Sequence, residues 1–158
     1  MFQNEIFRYF YLSPVGILEI QSSEKNLFSL QFVEHFLENS PQIPEILLKT
    51  SQQLDEYFNG IRTIFDLKME LFGTNFQIKV WKELQKIPFG ETISYFELAR
   101  RIENPLAARA VGGANHRNPI VILIPCHRVI GKNGTLVGYG GRMDRKEWLL
   151  NFEKQKKN

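Results

Sequence analysis

The sequence is poor in residues that cross-link a chain or hold a metal. Its 158 residues include one cysteine, Cys126. A single cysteine excludes an intrachain disulfide, a zinc site built on two or more cysteines, and a cysteine-held iron–sulfur cluster within this chain. The three histidines, His35, His116 and His127, show no ligand spacing. A reduced, intracellular setting is the matching expectation. No stretch approaches the roughly 20 apolar residues of a membrane span. The opening Met1-Phe2-Gln3-Asn4-Glu5 has neither a basic segment nor an apolar one, so no secretory signal is expected there. There is no internal repeat and no low-complexity stretch.

What is present reads as a soluble globular chain, 43% hydrophobic and 23% charged. A chain of this length buries about two-thirds of its unfolded surface and needs no staples. The net charge of +3 conceals a division. Residues 1–72 carry five Lys/Arg against ten Asp/Glu, a net of −5, whereas residues 73–158 carry fifteen against seven, a net of +8. A basic half beside an acidic one suits nucleic-acid binding, but basic residues also coat ordinary soluble surfaces.

In the first half, residues 5–12 and 15–21 are aromatic and β-branched runs around Ser13-Pro14-Val15-Gly16, the pattern of a hairpin. Leu27 to Val33 predicts a third strand. Ile46, Leu47, Thr50, Leu54, Tyr57 and Phe58 fall at helical spacing before Gly60. Arg62 to Leu67 is read as a returning strand.

The second half is denser in signals. Thr74-Asn75-Phe76-Gln77 is a capping box for a helix whose buried face is Val80, Trp81 and Leu84. Ser94-Tyr95-Phe96-Glu97 predicts a second capping box and a short helix to Arg101. Asn104 is read as the cap of a further helix with Pro105 at its first position. Two short helices about three residues apart make a helix-turn-helix, although tight helical hairpins share that pattern. Ile120 to Ile124 resembles a buried strand and ends at Pro125-Cys126-His127-Arg128. Lys132 to Thr135 is a turn. Gly138 to Gly141 is a flexible loop. Asp144-Arg145-Lys146-Glu147 is a third capping-box-like start, opening a final helix with Trp148, Leu149, Leu150 and Glu153.

Cys126 has two readings: a buried structural thiol, or a nucleophile served by a nearby base. In an extended segment Cys126 and His127 point to opposite faces, so direct contact requires a turn and a water is the alternative relay. Glu153 is a downstream carboxylate able to orient His127. Arg109 and Tyr95, taken singly, are a surface arginine and a core tyrosine, or groups that reach a groove and a phosphate.

Three blocks together resemble the 6-O-alkylguanine-DNA alkyltransferases. The first is Phe76-Gln77, Val80-Trp81, Leu84, Ile87-Pro88, Gly90, Thr92, Ser94-Tyr95 and Leu98-Ala99. The second is Ala107-Ala108-Arg109-Ala110-Val111-Gly112-Gly113-Ala114. The third is Asn118-Pro119 with Ile124-Pro125-Cys126-His127-Arg128-Val129. The match covers about residues 72–153; residues 1–70 match only in general layout.

The resemblance implies an α+β chain. Residues 1–71 would form a small ribonuclease H-like α/β domain with an antiparallel sheet. Residues 72–158 would form a mostly helical, winged-helix-like domain that binds DNA and accepts the alkyl group. It further implies direct-reversal repair, in which 6-O-alkylguanine, and also 4-O-alkylthymine, is flipped from duplex DNA and dealkylated once by Cys126 in a single-turnover, suicidal transfer.

By matching position, His127 is the water-linked base, Glu153 orients it and Asn118 braces the segment. Arg109 fills the gap left by the flipped base. Tyr95 crowds the 3′ phosphate and donates to the departing base. Ala110 and Gly112 let the helix approach the minor groove. Arg128 counts among the DNA- and substrate-contacting residues. The carbonyls of Cys126 and Val129 read the exocyclic amine, and Tyr139 and Gly140 close the pocket.

Some members hold a zinc through N-terminal cysteines, which are missing from this sequence, so neither metal nor cofactor is expected. The expected partner is double-stranded DNA carrying alkylated guanine, met by a cytoplasmic monomer (nucleoid-associated in a bacterium) with no membrane association. Two other readings belong to different classes: a lesion-binding regulatory module that transfers nothing, and a thiol hydrolase unrelated to DNA.

Overall fold

A computed structural model describes residues 5–136 and 142–157. The chain divides into two compact units, Met1–Leu71 and Phe72–Asn158.

The first unit is a three-stranded antiparallel meander backed by a helix. Strands β1 (Phe7–Ser13), β2 (Gly16–Ser22) and β3 (Leu27–Val33) lie in the order β1-β2-β3. Pairing of Ser13 with Gly16 leaves Pro14-Val15 as a two-residue turn. Gly16 takes φ 134°, a value open mainly to glycine. Leu18, Ile20 and Ser22 alternate inward along β2. Helix α1 (Glu45–Phe58) packs on β1 and β2 and buries Leu47, Leu54 and Tyr57.

The strand expected over Arg62–Leu67 does not form. Side chains hold that backbone instead: Gln53 donates to the Asp66 carbonyl at 3.0 Å and accepts from the Asp66 N–H at 2.9 Å. Ile61 and Ile64 remain exposed, so no apolar face is available to seat a strand. Pairing is reduced to one parallel bridge between Leu27 and Met69.

The second unit contains α2 (Asn75–Leu84), α3 (Tyr95–Arg101), α4 (Ala108–His116) and α5 (Met143–Lys156). A short parallel pair, β4 (Ile93–Ser94) with β5 (Val129–Ile130), completes it. The Thr74 capping box is complete, with Thr74 and Gln77 satisfying each other's N–H groups. Trp81 Nε1 donates to the Ala114 carbonyl at 2.8 Å and locks α2 to α4.

Four local expectations are corrected. Ser94 caps α3 through the Glu97 N–H, but the box is only half made: the Glu97 carboxylate turns to Arg100 and Arg101. Asn104 does not cap α4. It opens a turn closed by the Ala107 N–H, and Pro105 uses its fixed φ there rather than inside the helix. The link between α3 and α4 therefore spans residues 102–107, not about three.

Ile120–Ile124 is buried but folded back on itself. The Leu123 N–H reaches the Val121 carbonyl around Ile122, whose φ is +73°. A β-branched residue in that region is strained by roughly 1–3 kcal/mol. Finally, α5 starts at Met143, and Asp144 pairs with Arg142 instead of capping.

Candidate functional site

The site is built on the turn that follows this buried knot. Asn118 braces the knot from both ends: its Nδ2 donates to the Ile124 carbonyl at 2.6 Å and its Oδ1 accepts from the Ile120 N–H at 2.9 Å. Its side chain also hydrogen-bonds Cys126. Cys126–Arg128 then form one 3-10 turn. The turn removes the opposite-face geometry of an extended segment and leaves Cys126, His127 and Arg128 all buried.

Behind the turn stands α5. His127 Nε2 lies 2.7 Å from Glu153 Oε2, and neither side chain reaches solvent. Arg128 grips the same carboxylate through Nε at 2.8 Å and Nη2 at 3.0 Å, and its Nη1 donates to the Ile87 carbonyl at 2.6 Å. The Gly90 N–H adds a fourth donor to Glu153 at 3.2 Å. Burial by itself would raise the Glu153 carboxyl, but His127 and Arg128 outweigh it and hold the group well below the usual carboxylate range.

An ionised carboxylate can only accept, so Nε2 carries the imidazole proton and Nδ1 presents a lone pair. Nδ1 is buried and has no hydrogen-bond partner among the described residues. Burial lowers the His127 pKa against the opposing pull of Glu153, which favours the neutral ring. Burial pushes the Cys126 thiol up to about 11, while Asn118 and the Lys146 charge work in the other direction.

Two buried polar residues with no role in the sequence reading enter the site. Lys146 donates to the Val129 carbonyl, and its ammonium lies 5.8 Å from the centre of the Tyr95 ring. Burial lowers its pKa to about 8. Asn115 donates through Nδ2 to the Cys126 carbonyl at 3.3 Å and lies 3.5 Å from the Tyr95 hydroxyl. Spacing held a signal for both. Lys146 is seven residues before Glu153, two turns away on the buried face that also carries Leu149. Asn115 is four residues after Val111 on the buried face of α4.

The other face of α4 is open. Arg109, Ala110 and Gly113 are exposed, and a β-carbon at Gly113 would meet nothing within 4 Å. Gly112 is half-buried, 3.8 Å from the Tyr95 ring measured from a β-carbon position. Arg128, expected among the DNA- and substrate-contacting residues, is buried and bonded to Glu153 and the Ile87 carbonyl. Tyr139 and Gly140 lie outside the described residues. Among the described residues no group of three or more His, Cys, Asp or Glu side chains could hold a metal, and no helix is long and apolar enough to cross a membrane.

The helical unit presents an open, small-sided helix face and carries a buried cysteine on the turn that follows its buried knot. The chain belongs to the 6-O-methylguanine DNA methyltransferase family. The model of that family's ribonuclease-like domain matches residues 6–71, and the model of its DNA binding domain matches residues 75–155.

Relatives described as methylated-DNA–protein-cysteine methyltransferases include one from Mycolicibacterium paratuberculosis, 46% identical over 147 residues (90% of this chain, 89% of the relative). Another, from Methanosarcina mazei, is 47% identical over 148 residues (89% and 92%). The Mycobacterium tuberculosis O6-methylguanine methyltransferase structure superposes with a TM-score of 0.87 at 44% identity, covering 96% of this chain and 94% of that one. A Mycobacterium tuberculosis OGT structure in complex with DNA gives 0.85 at 45% identity, covering 93% and 92%.

Proposed function

We propose that this chain repairs alkylated DNA by moving an alkyl group from the 6-oxygen of guanine, and from the 4-oxygen of thymine, to Cys126 Sγ. The observation that carries this reading is the buried His127–Glu153 pair on the turn that carries Cys126: Glu153 commits the imidazole proton to Nε2 and leaves Nδ1 as the base.

The target base is unreachable inside the duplex stack and must be flipped out, at a cost of a few kcal/mol that a poorly pairing lesion lowers. The exposed face of α4 approaches the minor groove, where Ala110 and Gly113, with the half-buried Gly112 beside them, permit close contact and Arg109 occupies the gap. Tyr95 and Val129 receive the flipped base, a role that the family resemblance also gives to Tyr139 and Gly140. Arg128 supports Glu153 rather than touching DNA.

As attack begins, the thiol proton passes to His127 Nδ1, through an intervening water where contact is not direct. The sulfur lone pair forms an S–C bond, the C–O6 bond breaks, and its electron pair goes to the guanine. Tyr95 donates a proton to the departing base. The proton held by His127 later returns to the tyrosinate through solvent, so the sum is thiol plus alkylguanine giving thioether plus guanine. A thioether has no easy leaving path, so each chain reacts once.

No cofactor is required, and the protein acts as a monomer. Residues 72–158 form the DNA-binding and acceptor domain. Incubation with a duplex containing 6-O-methylguanine adds one methyl, 14 mass units by simple composition, on Cys126. DNA binding with Cys126 unmodified points instead to a lesion-binding module, and repeated turnover of small esters points to a hydrolase.

A further inference from the structure

Asn115 is a buried amide that touches both the Cys126 backbone and the Tyr95 hydroxyl, and the direction of its hydrogen bonds is constrained. The Cys126 carbonyl can only accept, so the atom facing it at 3.3 Å is the NH₂ group, and the same group lies 3.5 Å from the Tyr95 oxygen. An NH₂ group can only donate. The Tyr95 hydroxyl must therefore accept from Asn115, and its own proton is turned away from α4. The contact is long, as active-site hydrogen bonds commonly are before substrate tightens them. Asn115 Oδ1 is buried and has no partner among the described residues, so the amide's orientation is set from its NH₂ side.

We propose that Asn115 is a positioning residue that aims the Tyr95 hydroxyl proton at the departing base and ties that hydroxyl to the backbone of the acceptor cysteine. The inference rests on the alkyl-transfer reading above. Lys146 flanks the other part of the residue, its cation placed over the ring. The hydroxyl is thus steered from α4 while the ring is held from α5. A donor at position 115 makes the phenol oxygen the acceptor of that contact and directs the phenol proton away from α4. An acceptor there captures that proton and repels the Cys126 carbonyl.

Single-turnover transfer from a 6-O-methylguanine duplex tests this, with lesion-DNA affinity measured in parallel. Asn115→Asp should slow transfer on the order of 100-fold at pH 8 and recover part of the loss near pH 5, as its carboxyl protonates, with affinity changed less than about threefold. Asn115→Ala should slow transfer about tenfold. The decisive comparison is Asn115→Ala in a Tyr95→Phe background, where it should cost no further rate because the hydroxyl it serves is gone.

Additive losses in that double variant, or a wild-type rate in Asn115→Ala, overturn the inference. Absence of transfer by the wild-type protein overturns the underlying reading instead. Thermal unfolding of each variant separates misfolding from mispositioning. If Asn115→Asp does not fold, the Asn115→Ala cycle alone decides.

Discussion

Glu153 Oε2 and His127 Nε2 meet at 2.7 Å, with both side chains buried. The pair joins stability to chemistry, because the carboxylate that orders the imidazole also neutralises Arg128. Glu153→Gln should keep the shape but lose the charge. Transfer should fall on the order of 100-fold in a single-turnover assay. Glu153→Ala should lower stability by about 3–5 kcal/mol in urea unfolding, because Arg128 is left buried without a counter-charge.

Acid should unfold the protein through the same residues, and the sign follows from the shifts. Glu153 is held below its usual range when folded and titrates near 4.3 when unfolded, so its contribution is complete above that pH and drains away below it. His127 is also lowered when folded, so the unfolded chain binds the extra proton first, from about pH 6.5 downward. Both slopes carry the same sign. Stability should therefore decline from near pH 6.5 and more steeply below about 4.3. A Glu153→Gln protein should show a shallower decline in the lower range when urea midpoints are compared across pH.

Arg128 separates a supporting role from DNA contact. Arg128→Met should cost about 3–5 kcal/mol of stability by stranding Glu153. The salt dependence of DNA binding should keep its slope, because each lost phosphate contact would reduce it by about 0.9. A reduced slope measured by fluorescence anisotropy would return Arg128 to the DNA surface.

Gly113 offers the opposite trade. A β-carbon there meets nothing, so Gly113→Ala should stabilise α4 by about 0.5–1 kcal/mol. The same methyl should weaken binding to duplex DNA if this face enters the minor groove. A raised melting temperature with unchanged affinity would move the interface elsewhere. Arg109→Ala, on the same exposed face, should leave stability within about 0.5 kcal/mol while slowing transfer from duplex more than from single strands.

The elements legible in the sequence were those specified by local physics. Strands β1, β2 and β3 follow from aromatic and β-branched runs with a two-residue turn, and α1 and α2 from their apolar spacing. Asn104-Pro105 is ambiguous in the sequence because proline's fixed φ serves a helix start and a turn equally well, and the folded chain makes the turn. Ile120–Ile124 was misread because a short apolar run shows that it is buried but not whether it is extended or folded back.

The single cysteine, the absence of any second thiol, and the basic second half are properties of the sequence alone. So are the three blocks that point to alkyl transfer. What only the tertiary structure decided is direction: that Cys126–Arg128 turn, that Arg128 faces inward to Glu153, and that Asn115 and Lys146 reach Tyr95 and the backbone carbonyls beside the cysteine. These are contacts between residues far apart in the chain. A local pattern records which face a residue is on, but which partner waits there depends on how α4 and α5 close around the turn.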